Sequence, residues 1–204
     1  MTDVLLIRHG ENDFTEKGKL AGRMQGVHLN ARGLAQAKAV ADALKTVPLK
    51  AVYSSPLDRT LETAKPIALS QKREVTTRWG LEETDVGDWA GKSIRRLSRS
   101  KAWQELQLRP ARFRFPGGES MQEQQARLIA EIEELLSMHR AKDVIACVGH
   151  SDPIKLIIAH YLGLPLDLFQ RLQIATASMS RLHFDKDGFS LMSLNERVGE
   201  IGND

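Results

Sequence analysis

Val4-Leu5-Leu6-Ile7 is the stretch that most narrows what this chain can fold into: four aliphatic residues in a row, broken off at Arg8-His9-Gly10. Such a run has no polar face, so it predicts a strand covered on both sides, the habit of a parallel sheet. In open α/β sheets ligands sit beyond the carboxyl ends of the strands. Arg8 and His9 therefore stand where chemistry is expected, with Gly10 where the backbone must turn. Taken alone, an Arg-His pair at a strand end is more often a solvated terminus than a catalytic site.

The remaining chain supplies the rest of such a sheet. Glycines 18, 22 and 26 without a sustained period mark 11–29 as loop, and Asn30 caps a helix with the stripe Leu34, Ala37, Val40, Ala41 and Leu44. A second strand is expected at 51–54. Ser55-Pro56 reads as N-cap and first-turn proline of a helix to about 69, kinked or ended early by Pro66. Glu74-Val75-Thr76 reads as a third strand, 80–91 as an acidic loop and about 94–106 as one helix. Ser120 with Glu123 forms a capping box for a long helix whose stripe is Leu128, Ile129, Ile132, Leu135 and Leu136. A second near-continuous apolar strand, 143–148, stops at Gly149-His150-Ser151. A helix from Asp152-Pro153 to Gly163 follows, then a hairpin of 178–184 with 189–194. This alternation predicts an α/β three-layer sandwich, a mixed, mainly parallel sheet with helices on both faces. It fits a single domain over 1–204 with a cap-like excursion at about 87–118.

Composition removes several classes. Among 204 residues, 42% hydrophobic and 27% charged, no apolar run approaches the roughly 20 residues of a membrane span. The N-terminus has no secretory leader pattern, and the lone Cys147 lies inside a strand pattern, so a cytoplasmic protein with an inert thiol is expected. No His-x-x-x-His or clustered Cys/His pattern supports a metal, and no cofactor is expected. The net charge of +3 is concentrated in 92–114, where Lys92, Arg95, Arg96, Arg99, Lys101, Arg109, Arg112 and Arg114 face one acid, Glu105. That run is either a solvated helix face or a surface that meets an anion. No aromatic stacking platform accompanies it, so neither nucleic acid nor membrane is expected as a partner.

Parallel topology brings three strand ends to one rim: Arg8 and His9 after the first, Arg59 in the first turn after the second, His150 after the fourth. Two guanidiniums and two imidazoles repel one another unless they meet an anion. Phosphate suits them, because arginine offers planar, always-charged, bidentate donors. The helix expected near Pro56 can add free N–H groups at its N-terminus.

With those residues in place, the sequence resembles the histidine phosphatase, or phosphoglycerate mutase-like, superfamily. The resemblance rests on Leu6-Ile7-Arg8-His9-Gly10-Glu11, Ser54-Ser55-Pro56-Leu57-Asp58-Arg59-Thr60 with Thr63-Ala64, and Leu81-Glu82-Glu83 with Gly87-Asp88-Trp89 and Gly91. Pro116-Gly117-Gly118-Glu119-Ser120 and Gly149-His150-Ser151 complete it, in the family's order. It implies that His9 is a nucleophile that becomes phosphohistidine and that Arg8, Arg59 and His150 hold the phosphoryl group. It further implies that Glu83, rather than its neighbours Glu82 and Asp85, protonates the leaving oxygen. The chemistry is coherent: a loose phosphoryl-transfer transition state needs positioning and charge neutralisation, and a neutral imidazole attacks without prior deprotonation. Where many members carry Thr and then Asn after the Arg-His-Gly-Glu run, this chain has Asn12 and Thr15. The duty of that phosphate-binding Asn falls to Thr15, to Asn12 or to neither. Arg23 and Ser151 are further candidate substrate contacts, and Trp89 a candidate pocket wall beside packing tryptophans 79 and 103.

The resemblance implies metal-independent phosphomonoester hydrolysis of a small phosphorylated metabolite. A phosphoglycerate mutase, whose family representatives carry more chain over the pocket, and a non-catalytic phosphate-binding regulatory module are the alternatives. If the basic run covers the leaving group, it would favour polyanionic esters.

Overall fold

The computed structural model describes residues 2–198; Met1 and residues 199–204, the ends of the expected 1–204 domain, lie outside the described residues. Six strands form one sheet: β1 (Thr2–Arg8), β2 (Leu49–Ser54), β3 (Val75–Thr77), β4 (Val144–Gly149), β5 (Met179–Asp185) and β6 (Gly188–Glu196). Their order is β3-β2-β4-β1-β5-β6. The first four strands run parallel, while β5 pairs antiparallel with β1 and β6 antiparallel with β5. This is the mixed, mainly parallel α/β sheet that the strand pattern predicts.

The aliphatic run divides its side chains between two apolar layers. Val4 and Leu6, with Tyr53, Ile145 and Cys147, pack into the layer that includes Leu128, Ile132 and Leu135 of the long helix Met121–Met138 and Ile154, Leu156 and Ile157 of Ser151–Tyr161. Leu5 and Ile7, with Val52, Ala146 and Val148, share the opposite layer with Val40 and Ala41 of helix Ala31–Ala43 and Ala64 and Ile67 of helix Asp58–Ser70. Period-two alternation on a strand covered on both sides gives this split. Full burial of each such Leu or Ile contributes about 1.5–3 kcal/mol.

In chain order the helices are α1 (Asp13–Glu16), α2 (Ala31–Ala43), α3 (Asp58–Ser70), α4 (Ile94–Leu97), α5 (Lys101–Leu108), α6 (Met121–Met138) and α7 (Ser151–Tyr161). They differ from the sequence reading in four respects. α1 interrupts the expected loop, because Asn12 accepts from the Phe14 and Thr15 N–H groups while Thr15 reaches back to the Asn12 N–H, a capping box written with Asn and Thr. α3 starts at Asp58 after Leu57, which caps with no side chain, and runs through Pro66 to Ser70 rather than ending early. Ser55 is thus not its N-cap. The basic segment is two helices, not one, since Ser100 caps α5 by accepting from the Trp103 N–H. Leu34 is 54% exposed and stands outside the α2 stripe that Asn30 begins.

Candidate active site

Register sets the site. Arg8 lies opposite Gly149 across the parallel β1–β4 ladder, and the His9 N–H donates to the Gly149 carbonyl at 2.9 Å. His9 and His150 therefore leave the sheet side by side, ring centroids 5.3 Å apart at 64°. Ser54 lies opposite Val148, so Ser55 emerges on the far side of His150 and its N–H donates to the Val148 carbonyl at 3.0 Å. Gly10 does not need a left-handed turn. A Cβ there would come 2.6 Å from the Gly33 carbonyl oxygen, so glycine permits the chain beyond His9 to lie against the start of α2.

His9 is almost wholly buried, and its Nδ1 lies 2.7 Å from the Gly10 carbonyl oxygen. A carbonyl only accepts, so Nδ1 carries the proton and Nε2 keeps its lone pair. Burial, then the Arg59 and Arg8 charges, lower the pKa of His9 well below the ordinary histidine value. Burial first, then Arg59, His9, Arg8 and Arg127, does the same to His150. Both rings are neutral near pH 7.

Arg8 donates from Nη1 to the Ile174 carbonyl at 2.6 Å, and Arg59 from Nη2 to the Gly22 carbonyl at 2.8 Å. The Thr63 hydroxyl, in the second turn of α3, braces the other side, accepting the Gly10 N–H at 3.0 Å. Four buried polar atoms here have no partner: Arg8 Nε, Arg59 Nη1, Asn12 Nδ2 and His150 Nδ1. Buried donors are rarely left so, since each costs about 1–3 kcal/mol unsatisfied. Arg8, Arg59 and Asn12 all line one cavity of about 360 Å³. An anion in that cavity is the kind of group such donors would satisfy.

Glu83 lines the same cavity, on the loop after the short turn Trp79–Leu81. Its Oε1 accepts the Thr84 N–H at 2.9 Å, and Oε2 lies 3.7 Å from His150 Nδ1. Burial, helped by Asp152 and opposed by Arg59 and Arg8, raises its pKa above the ordinary carboxyl range. Glu82 instead turns away to Arg23 at 3.2 Å. The loop is clamped from behind. Arg23 donates from Nε to the Glu83 carbonyl at 2.9 Å, Arg127 donates to the Gly80 and Glu82 carbonyls, and both guanidiniums meet Glu119. The Asp85 N–H also donates to Glu119, and a Cβ on Gly118 would come 2.2 Å from the Asp85 carbonyl oxygen. Both glycine-bearing motifs, at 87–91 and 116–120, thus belong to the seating of this loop.

Of the candidate substrate contacts, Asn12, Thr15 and Ser151 line the cavity and Arg23 does not. Arg23 is held among Glu82, Glu119 and the Glu83 backbone, behind the acid rather than before the ligand. The Thr15 hydroxyl is engaged by the Asn12 backbone at both ends, whereas the Asn12 amide keeps Nδ2 free. The helix N-termini at the cavity are those of the short α1, through Asn12, Phe14 and Thr15, and of α7, through Ser151 and Asp152, rather than the one expected near Pro56; α3 contributes only Arg59.

The excursion supplies a different wall from the one its charge suggests. All eight basic residues of 92–114 are exposed and none lines the cavity; Ile94, Trp103 and Gln107 do. Trp103 stacks on buried Trp89 at 5.9 Å and 24°, so Trp89 backs the wall without forming it. Trp79 is 68% exposed and packs little. Phe14, Lys19, Leu20 and Gln170 complete this half, and neither composition nor spacing singles them out. Among the described residues no group of three or more His, Cys, Asp or Glu could hold a metal ion, and no helix is long and apolar enough to cross a membrane.

A sequence model of the histidine phosphatase superfamily (branch 1) matches residues 4–197. Phosphoserine phosphatase 1 of Hydrogenobacter thermophilus is 30% identical over 96% of this chain and 92% of its own. A probable phosphoglycerate mutase, GpmB of Salmonella typhi, is 29% identical over 91% and 86%. The structure of a phosphoserine phosphatase mutant from Entamoeba histolytica in complex with phosphoserine superposes with a TM-score of 0.86 at 27% identity, covering 96% of this chain and 98% of that one.

Proposed function

This chain belongs to the histidine phosphatase superfamily, and we propose that it hydrolyses small phosphorylated metabolites through a phosphohistidine on His9. The observation that carries the reading is the set of buried, unpartnered polar atoms of Arg8, Arg59, Asn12 and His150 beside a neutral imidazole with a free Nε2. They are the complement of a phosphoryl group.

In the first step His9 Nε2 forms a bond to phosphorus while the ester P–O bond breaks, and the leaving oxygen takes the proton of Glu83. Arg8 and Arg59 balance the charge on the transferring oxygens, with Asn12 Nδ2 and the His150 ring as neutral donors. In the second step water gives its proton to the Glu83 carboxylate and attacks phosphorus, releasing phosphate and restoring His9. One carboxyl thus serves as acid and then as base. We read 87–118 as a cap on a single domain, its Ile94, Trp103 and Gln107 facing the leaving group. A cavity of about 360 Å³ suits a metabolite-sized ester.

Rapid-quench labelling with a phosphorus-labelled ester tests this. The expected product is acid-labile, base-stable phosphate on the His9 peptide, absent together with turnover in His9→Ala. Label elsewhere, or an active His9→Ala protein, overturns the mechanism. The same reaction run on 3-phosphoglycerate distinguishes release of phosphate from conversion to 2-phosphoglycerate.

A further inference from the structure

An imidazole that is to donate into an anion site must carry its proton on the nitrogen that faces the site. For His150 that nitrogen is Nδ1, buried, without a partner and 3.7 Å from Glu83 Oε2. The other nitrogen, Nε2, lies 2.8 Å from Ser55 Oγ, and both residues are wholly buried.

Ser55 is fixed by its backbone. Its N–H donates to the Val148 carbonyl, and its own carbonyl accepts the hydroxyls of Ser54 and Thr60, each at 2.9 Å. Its hydroxyl has a single hydrogen-bonding neighbour among the described residues, His150 Nε2. Two arrangements are open. If the hydroxyl accepted from Nε2–H, its own proton would be buried with nothing to receive it, and Nδ1 would turn a bare lone pair toward the anion. If it donates to Nε2, its proton is satisfied and the ring proton goes to Nδ1.

We propose that Ser55 is a positioning residue: its hydroxyl donates to Nε2 of His150 and so holds the ring proton on Nδ1, aimed at the phosphoryl site. His9 is then the same tautomer in the opposite orientation, with Nδ1–H spent on the Gly10 carbonyl and Nε2 left bare. One ring presents a lone pair to phosphorus and its neighbour presents a proton to oxygen.

The catalytic consequence rests on the phosphatase reading, but the tautomer does not, and the experiment separates them. Long-range 1H–15N correlation spectra of the full chain, at a pH where both rings are neutral and assigned with His150→Gln, report which nitrogen is protonated. Wild type should show His150 with a pyrrole-type Nδ1 and a pyridine-type Nε2. Ser55→Ala should stay folded with a lowered Tm, shift the proton toward Nε2, lower kcat/KM about ten- to a hundred-fold, and weaken inhibition by inorganic phosphate. Ser55→Thr, which keeps the hydroxyl, should restore both tautomer and rate; if it does not fold, the wild-type spectrum alone decides. A wild-type ring protonated on Nε2, or a Ser55→Ala protein with unchanged tautomer and rate, overturns the proposal. An Nδ1-protonated ring in a wild-type protein without phosphatase activity would instead overturn the functional reading.

Discussion

Nδ1 of His150 and Oε2 of Glu83 lie 3.7 Å apart with no hydrogen bond between them. An ion pair would have closed that gap. Burial prevents it from both sides, lowering the pKa of the imidazole and raising that of the carboxyl, so that each is held toward its neutral form. A phosphoryl oxygen set to one side of the pair would be within reach of both.

The pH profile of turnover follows from these shifts. Glu83 works as an acid, so kcat/KM for an alkyl phosphate should fall as pH rises through its elevated pKa. His9 must be neutral to attack, and its pKa is lowered, so activity should persist below the ordinary histidine value before an acid limb appears. Measuring kcat/KM from pH 4 to 9, roughly, checks both limbs. An alkaline limb that persists unchanged in Glu83→Gln belongs to another group.

Glu83→Gln should depress hydrolysis of alkyl phosphates by about 10²–10⁴-fold while sparing aryl phosphates whose leaving groups need no proton. Glu82→Gln should show no such selectivity, because Glu82 faces Arg23 rather than the cavity. Parallel assays of both esters with both variants decide the register.

Arg23→Ala removes a clamp and not a ligand contact. The guanidinium bridges Glu82, Glu119 and the Glu83 carbonyl, so its loss should cost about 1–3 kcal/mol of stability. It should also lower kcat for alkyl esters more than it raises KM, since the acid is misplaced while the phosphate donors stay. Thermal melts beside steady-state kinetics test this. A rise in KM alone would make Arg23 a substrate contact after all.

The leaving group should feel Trp103 and not the surface cations. Trp103→Ala should lower kcat/KM about ten-fold for esters with bulky aromatic leaving groups, through lost apolar contact. Arg95→Glu and Arg112→Glu should leave KM for bisphosphates nearly unchanged, because both side chains are exposed outside the cavity. A several-fold selective rise in KM for bisphosphates would return the basic run to substrate recognition.

Val4-Leu5-Leu6-Ile7 and the run around Ile145 could only be strands covered on both faces, so the parallel centre of the sheet was legible from residue type alone. The strand ends then placed Arg8, His9, Arg59 and His150 on one rim, because parallel strands carry their carboxyl termini to the same edge. Capping chemistry fixed the starts of α2 and α6, where Asn30 and Ser120 meet the backbone within three residues. What the sequence left open depends on contacts between residues far apart in it. Ser55 read as a local cap because its partner, His150, is 95 residues away and meets it only when β2 and β4 align. Arg23 looked like a ligand contact until Glu119, 96 residues on, claimed it. The basic run declared a charge but not a direction, and helix packing turned Trp103 inward and its cations to solvent. Local pattern sets element type, capping and strand ends; side-chain direction and hydrogen-bond pairing at the site are set by register and packing, which only the folded chain supplies.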